Sequence, residues 1–499
     1  MNPGTPLPES KTHLEHSLIL LLILAAIVAG GIYLANLNTA AGQWYDDGWY
    51  LVLAKALASG AGYRQINVPG APPEGHFPPG YPLLLAPVWW LPLNFPARII
   101  AFKLTSVIAT LIWGVLVYRY LTRNGYATPH LALFIVALTW FNPLVLYYAT
   151  LVASEMSYAL VVVIALLRVE SYARTARERA DSPFNRHLVW AALAIAAACY
   201  LRSVGLAVAG SAVAYLLVNR HWKHSALLAV TVATLYLPWL LHVRSLTAVG
   251  ETSSYLSILQ RSFTRSGQFD PTLLSERLVK NVHLYLLGGL PGIVFPSTTQ
   301  LTWINLPATL RMHPYSHVAS TLITIITLTG LLVTLVARRS LLPLYVIASV
   351  GICILWPWEP TRYLVSLTPF IAAFFFKPLV DLARALGPRM QKWSQKGALV
   401  ILLAYLFLEI ATGTQHVLYL HSDAYAASPD AQLWADIQAC YTWLNEHTAS
   451  DDVLAMVNTP QGYLYTGHPT VKAIQQPEKL HVFGVRYAVL LPFPTLDTG

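Results

Sequence analysis

Two adjacent carboxylates, Asp46 and Asp47, follow directly after the first long apolar segment of this 499-residue chain. The residues flanking them are aromatic: Trp44, Tyr45, Trp49 and Tyr50. A carboxyl group that aromatic rings shield from water has a raised pKa and can act as a general base. Its neighbour could share the proton, or the pair could bind a divalent cation, Mg or Mn, through oxygen ligands. A solvated loop start is the alternative, because Asp is common in turns.

A second group of candidate residues follows about thirty residues later, in the segment Gly-His-Phe-Pro-Pro-Gly-Tyr-Pro at 75–82. Proline fixes the backbone angle φ, so this loop is stiff. A stiff loop would present Glu74 and His76 to a pocket, with Tyr81 beside them. The alternative is an ordinary loop that leads into a short interfacial helix.

Three ionisable residues at the ends of later apolar segments complete the candidate set: Glu155, Arg202 and Arg362. A planar guanidinium grips two phosphate oxygens, which makes Arg202 and Arg362 candidate phosphate ligands. Either arginine could instead extend to the membrane interface or pair with a nearby acid. Glu155 could hydrogen-bond a sugar or an acceptor, or simply favour the start of a helix.

The elements that must position these residues are apolar helices. The chain is 56% hydrophobic and 11% charged, whereas soluble proteins carry about 25% charged residues. This composition predicts an all-α polytopic membrane protein, since about 20 apolar residues cross a bilayer as a helix. About eleven transmembrane segments are predicted, at residues 18–37, 97–119, 129–148, 155–170, 188–201, 203–219, 225–242, 316–337, 341–356, 362–377 and 397–416.

The formal net charge of +9 does not indicate nucleic-acid binding, because the basic residues cluster in short connections between apolar segments. The clusters are Arg119/Arg123, Arg168–Arg186, Arg220/Lys223, Arg338/Arg339 and Lys377–Lys396. By the positive-inside rule these connections and the N-terminus are cytoplasmic, and eleven spans leave the C-terminus outside. A cleaved signal peptide is the alternative for the first segment. The three cysteines have no disulfide or metal-ligand spacing.

Two domains are predicted. Residues 1–419 form a transmembrane domain with a first outer loop at 40–96, which contains juxtamembrane helices, and a second long outer loop at 243–315. Residues 420–499 form a small soluble extracytoplasmic α/β domain, because a helical pattern precedes short apolar runs that are typical of buried strands.

Taken together, the motifs resemble those of the GT-C glycosyltransferases, in particular the branch that contains the protein O-mannosyltransferases and the lipid A aminoarabinose transferases. The similar segments are 46–50 (Asp-Asp-Gly-Trp-Tyr), 54–63, 77–84 (Phe-Pro-Pro-Gly-Tyr-Pro-Leu-Leu), 154–155, 201–205 and 362–364, together with the terminal outer domain.

This resemblance implies an integral-membrane, inverting hexosyl- or pentosyltransferase that uses a polyprenyl-phosphate sugar at the extracytoplasmic face of a bacterial-type inner membrane. The acceptor would be a hydroxyl of an unidentified lipid, glycan or protein. It implies Asp46 as the general base, with Asp47 orienting it or binding the acceptor. One departure concerns the phosphate. The aminoarabinose transferases have a Glu-Lys pair before the double proline, whereas this chain has His76 and Phe77.

The candidate roles are therefore assigned as follows. Asp46 and Asp47 are catalytic; His76, Arg202 and Arg362 bind the donor phosphate; Glu74, Tyr81 and Glu155 contact the substrate or acceptor. The alternative function is a transporter or flippase for a lipid-linked or small polar substrate, which would place ionisable residues at the midplane of broken helices. A non-catalytic scaffold with a sensory outer domain would leave the paired aspartates and the rigid loop without a role.

Overall fold

A computed structural model of the protein describes residues 9–43, 46–178, 184–248, 255–265, 267–295, 317–357, 361–385, 387–472 and 480–490. Trp44 and Tyr45, two of the aromatic residues predicted to shield Asp46, lie outside these ranges. The described chain is a bundle of apolar helices, and a small parallel sheet lies near the C-terminus.

The first part of the bundle consists of two long helices and a short-helix loop between them. The elements are α1 (Glu9–Ala35), α2 (Asp46–Ala58), α3 (Gly80–Leu85), a 3₁₀ helix (Ala86–Trp90) and α4 (Phe95–Arg123). With 13 residues, α2 rises only about 20 Å, which is too short to cross the hydrocarbon core. It is largely buried and packs against α3 and the 3₁₀ helix.

The middle of the bundle contains six helices. They are α5 (Pro129–Trp140), α6 (Pro143–Ala149), α7 (Ser154–Glu178), α8 (Arg186–Leu201), α9 (Leu206–Val218), which follows a 3₁₀ turn (Ser203–Gly205), and α10 (Trp222–Ala248). The sequence predicts one straight segment at 129–148, but α5 and α6 are bent by 61°. The break lies at Asn142, whose side chain caps α6 by accepting hydrogen bonds from two backbone N–H groups, and Pro143 cannot continue the hydrogen bonding of α5.

The second long loop and the later helices follow. The elements are α11 (Tyr255–Arg261), β1 (Thr264–Arg265), β2 (Gln268–Phe269), α12 (Pro271–His283), a π-helical turn (Leu284–Gly289), α13 (Leu290–Val294), α14 (His317–Arg338), α15 (Leu341–Leu355), a 3₁₀ segment (Thr361–Leu367), α16 (Thr368–Ala385) and α17 (Pro388–Leu420). The 3₁₀ segment at 361–367 packs against α7 and the π-helical turn.

The C-terminal segment combines helices and strands. Its elements are α18 (Asp423–Ala426), α19 (Pro429–His447), β3 (Val453–Met456), α20 (Thr459–Thr466), β4 (Thr470–Lys472) and β5 (Val485–Val489). The strands form a parallel sheet in the order β4-β3-β5. One face of this sheet and α19 share a small apolar core that includes Ile437, Leu444 and Leu454. Because α20 also packs against α2, this segment contacts the helical bundle and is not connected to it through α17 alone.

The chain is a multi-pass membrane protein. Within the described residues, six helices are long and apolar enough to cross a membrane, or seven if the bent α5–α6 pair counts as one span. Three further apolar helices, at 186–201, 203–218 and 341–355, are shorter, and a 16-residue helix rises only about 24 Å. Every predicted segment is mainly helical where it is described, but the total of eleven spans remains a prediction.

One end of the bundle carries several of the predicted basic connections. Arg338, at the end of α14, donates a hydrogen bond to the carbonyl of Gly125 just beyond α4 (2.8 Å). Arg174, near the end of α7, donates to Asn124 (3.1 Å). We call this the basic end. The start of α7 faces the opposite end, where the candidate functional residues lie.

A candidate active site opposite the basic end

Four charged residues form a continuous ionic cluster: Asp46, Arg362, Glu155 and Arg202. Nη1 of Arg362 lies 2.8 Å from Oδ2 of Asp46, and its Nε lies 3.9 Å from Oε1 of Glu155. Nη1 of Arg202 lies 2.6 Å from the same Oε1 of Glu155. The structure thus brings together four residues that the sequence singled out separately, although Asp46 and Arg362 are 316 positions apart.

The local structure around each member explains how it reaches the cluster. Asp46 and Glu155 lie in the first turns of α2 and α7, where the positive end of the helix dipole favours a carboxylate. Arg202 lies between α8 and the following 3₁₀ turn, in extended backbone. Arg362 is the second residue of the 3₁₀ segment that packs on α7.

Hydroxyl and aromatic groups surround the two arginines. Arg202 donates a hydrogen bond to Oγ of Ser154 (2.7 Å), and the hydroxyl of Tyr50 lies 3.2 Å from the same oxygen. The ring of Tyr363 lies against both guanidinium groups, 5.1 Å from that of Arg202 and 5.4 Å from that of Arg362. Such cation–π contacts hold the arginines in place.

The two halves of the cluster differ in exposure. The side chains of Glu155 and Arg202 are 6% and 10% exposed, whereas those of Asp46 and Arg362 are 27% and 30% exposed. The formal charges of the four residues cancel. The cluster therefore has a sealed ion pair on the inside and an accessible ion pair at its mouth.

Asp47 points away from this cluster. Its Oδ2 accepts a hydrogen bond from the backbone N–H of Gly42 (2.7 Å), and the residue is 7% exposed. Because Asp46 faces Arg362, the two carboxylates have different hydrogen-bond partners in this structure. Within the described part of the chain, no group of three His, Cys, Asp or Glu side chains converges as a metal site.

Glu74 holds the rigid loop in place. Its Oε1 accepts hydrogen bonds from the backbone N–H groups of His76 and Phe77, and its Oε2 accepts one from Gln65 (2.9 Å). The backbone oxygen of Glu74 also lies 2.8 Å from Nε2 of His242 on α10. With 1% exposure, its carboxylate is buried and supports the loop.

His76 lies one aromatic ring away from the ionic cluster. Its imidazole packs on the ring of Tyr255, with the centroids 4.4 Å apart. Burial raises the pKa of Tyr255 well above its usual range, and Tyr50, Tyr363 and the charge of Asp46 raise it further. Tyr255 therefore interacts electrostatically with residues of the cluster, and His76 packs on its ring.

Tyr81 and Gly80 fit the loop tightly against the bundle. Tyr81 is fully buried, and its ring packs edge-on against Tyr50 at 4.9 Å, so it supports Tyr50 instead of lining an open surface. A Cβ on Gly80 would lie 2.7 Å from the carbonyl oxygen of Tyr200, at the end of α8. Only glycine allows this approach, which fixes the loop beside the backbone that carries Arg202.

The sequence did not single out Tyr255, because one aromatic residue among many does not reveal its spatial partners. Tyr363 lies in the segment 362–364, whose similarity to the family gave a signal but not its contact with both arginines. Lys103 is a further buried charged residue, with 2% exposure. Its Nζ donates to the backbone and side-chain oxygens of Asn38 (2.9 and 2.7 Å), which ties α4 to the chain just ahead of α2.

The C-terminal segment contacts the stretch that leads into Asp46. Nε2 of Gln461, on α20, lies 3.4 Å from the carbonyl oxygen of Ala41. The N–H of Ala41 donates to the hydroxyl of Tyr465 (3.1 Å). Farther along, the backbone N–H of Thr470 donates to the carbonyl of Asn67 (2.6 Å). Residues from the last tenth of the chain thus hold the backbone next to the candidate base.

The overall fold is shared with two solved membrane enzymes. The oligosaccharyltransferase of Archaeoglobus fulgidus, tethered to an acceptor peptide containing the NVT sequon, superimposes with a TM-score of 0.57 at 13% identity, over 91% of this chain and 64% of its own. ArnT from Cupriavidus metallidurans bound to undecaprenyl phosphate superimposes with a TM-score of 0.56 at 14% identity, over 94% of this chain and 89% of its own. The same ArnT in its apo state gives 0.54 at 15% identity, over 95% and 92% of the two chains.

No protein-family model matches the sequence, and no characterised protein matches it at the sequence level. The structural likeness shows that the chain has the GT-C fold. This chain spans 64% of the length of the archaeal oligosaccharyltransferase and 89% of the length of ArnT.

Proposed function

We propose that the protein is a glycosyltransferase that moves a single sugar from a polyprenyl-phosphate donor to an acceptor hydroxyl. The ionic cluster carries this proposal, since it holds a solvent-accessible carboxylate against Arg362 and joins both to Arg202 through Glu155, at one end of a transmembrane bundle. The site lies opposite the basic end, so the positive-inside rule puts it on the extracytoplasmic face.

Asp46 is the proposed general base. It takes the proton from the acceptor hydroxyl as the oxygen attacks the anomeric carbon of the sugar. The bond between that carbon and the phosphate oxygen breaks, and its electron pair goes to the phosphate. A single displacement of this kind inverts the anomeric centre.

Arg202 and Arg362 are the proposed ligands of the donor phosphate. The donor is a phosphodiester with one negative charge, and the departing lipid phosphate gains a second. Fixed guanidinium groups stabilise such developing charge in the transition state. Glu155 orients both arginines through one of its two oxygens, Oε1. Glu74 positions the loop, and Tyr81 positions Tyr50. Asp47 holds the entry to α2 through Gly42.

The solved neighbours support this proposal at the level of substrate class. ArnT binds undecaprenyl phosphate, and the archaeal enzyme is described with an acceptor peptide. Both fit a fold in which a lipid-linked donor meets an acceptor at a membrane boundary. The proposal names the class of donor and not the particular sugar or acceptor.

A transporter is less well supported. The one bent helix pair among the described residues breaks at Asn142, and this break carries no charged side chain. Asn142 instead caps α6 and donates a hydrogen bond to the carbonyl of Ile293 (3.0 Å). The charged groups converge at helix ends, as expected for a surface-facing reaction rather than for a midplane binding site.

The decisive experiment is the substitution Asp46→Asn. We expect the variant to fold, because the pair it disrupts is partly exposed, and to lose sugar transfer from a polyprenyl-phosphate donor in a membrane assay. Asp436→Asn on α19 is the matched control, since it makes the same charge change at an exposed position. Full transfer activity in a folded Asp46→Asn variant would exclude Asp46 as the base.

A further inference from the structure

Arg362 has two roles that compete with each other. It pairs with Asp46 in this structure, and it is also a proposed ligand of the donor phosphate. While Asp46 accepts a hydrogen bond from a guanidinium, its lone pair on that side is not available to an acceptor proton. The same contact therefore occupies one oxygen of the proposed base and one nitrogen of the proposed phosphate ligand.

The two arginines are not equally available. Arg202 is 10% exposed and already contacts both Glu155 and Ser154 at short range. Arg362 is 30% exposed, and its buried Nε–H donates no hydrogen bond to any residue that the structure describes. A buried unsatisfied donor is costly, and a phosphate oxygen is a strong acceptor for it. Arg362 is thus the arginine that can exchange its carboxylate partner for a phosphate.

We propose that Arg362 is exchanged between Asp46 and the phosphate of the lipid donor. This inference rests on the proposed function and adds a regulatory step to it. In the empty site Arg362 holds Asp46 and neutralises it. When the donor binds, its phosphate takes the guanidinium, and the carboxylate is released to accept a proton from the acceptor.

The charges of Asp46 and of the phosphate change during transfer, and these changes give the exchange a direction. During transfer Asp46 becomes a neutral carboxylic acid while the phosphate goes from one negative charge to two, so Arg362 stays with the lipid phosphate. When Asp46 later loses its proton to water, its negative charge competes again for Arg362 and weakens the hold on the product. In the empty site, Arg362 keeps Asp46 paired until a donor is bound. An acceptor that binds first therefore does not meet a free base.

The exchange predicts an opposite effect of one substitution on binding and on catalysis. Asp46→Asn and Asp46→Ala remove the competing charge, so both variants should bind undecaprenyl phosphate about three- to tenfold more tightly than the native protein while losing transfer. Tenfold corresponds to about 1.4 kcal/mol. Binding of undecaprenyl phosphate is measured on the purified full-length protein in nanodiscs, with Asp436→Asn as the charge-matched control.

Each result decides something different. Tighter lipid-phosphate binding by both Asp46 variants, with native-like binding by Asp436→Asn, supports the exchange. Unchanged or weaker binding in folded Asp46 variants overturns it and leaves the proposed glycosyltransferase intact. If the native protein itself does not bind undecaprenyl phosphate, the proposed donor class fails together with the exchange.

Discussion

At the scale of single residues, the ionic cluster contains two kinds of ion pair. The Glu155–Arg202 pair is sealed and shares its environment with Ser154, so it is a fixed part of the framework. The Asp46–Arg362 pair is partly open to water. An exposed pair contributes about 1 kcal/mol or less to stability, whereas removing one partner of a buried pair costs about 3 to 5 kcal/mol.

This difference predicts a ranking of stability. Glu155→Gln leaves Arg202 buried without its counter-charge, so it should lower the melting temperature more than Asp46→Asn does. Both variants lose activity, but for different reasons. Thermal unfolding in the same detergent checks the ranking, and equal melting temperatures for the two variants would contradict the division into a sealed and an open pair.

The sequence indicates the members of the cluster but not their pairing. Asp46, Glu155, Arg202 and Arg362 stand out because charges are rare next to apolar segments. The acid nearest to Arg362 in the sequence is Glu359, three positions away, and it lies outside the described residues. Pairing across hundreds of positions depends on helix packing, which local patterns do not contain. The same limit explains why Tyr255 was missed.

At the scale of elements, the rigid loop and the end of α8 act as one unit. Gly80 lets the loop approach the backbone of Tyr200 and Leu201, and Arg202 follows directly. The loop is also fixed from the other side by Glu74, which binds two of its N–H groups. The prolines predicted a stiff loop, but its contact with α8 was not visible in the sequence.

Gly80→Ala should therefore impair activity without touching a charged residue. The new Cβ would lie 2.7 Å from backbone atoms that cannot rotate away, so the loop and Arg202 must separate. We expect a loss of at least about tenfold in transfer rate, which is about 1.4 kcal/mol in activation free energy. The control is Gly210→Ala on α9, where nothing lies within 4 Å and Ala favours the helix. Native-like transfer by Gly80→Ala would show that the loop does not set the position of Arg202.

At the scale of the whole molecule, the C-terminal segment contacts the stretch of chain that leads into Asp46. The apolar pattern predicted a helix and short strands in this segment, but it gave no sign of where they dock. The structure ties α20 to residue 41 through Gln461 and Tyr465. A Cβ on Gly48 would lie 3.0 Å from Pro460, so α2 and α20 are in close contact. An apolar core shared by distant segments gives no local pattern by which its assembly could be predicted.

A pair of glycines tests this connection. Gly42 and Gly62 both have positive φ angles, 75° and 83°, so alanine at either position meets similar backbone strain of about 1 kcal/mol. Only at Gly42 would the new Cβ meet the C-terminal segment, 2.9 Å from Gln461. We expect Gly42→Ala to reduce transfer more than Gly62→Ala does. Equal activities would mean that the C-terminal contact does not position Asp46.

The Asp46–Arg362 contact also has a consequence for the order in which the protein is made. The two residues are 316 positions apart, and translation adds about 5 to 20 residues per second. Asp46 therefore leaves the ribosome roughly 15 to 60 seconds before its partner exists. For that interval the nascent chain carries an unpaired acid at the membrane boundary. The Arg362 segment arrives only after most of the bundle has been inserted, so the site is completed near the end of biogenesis.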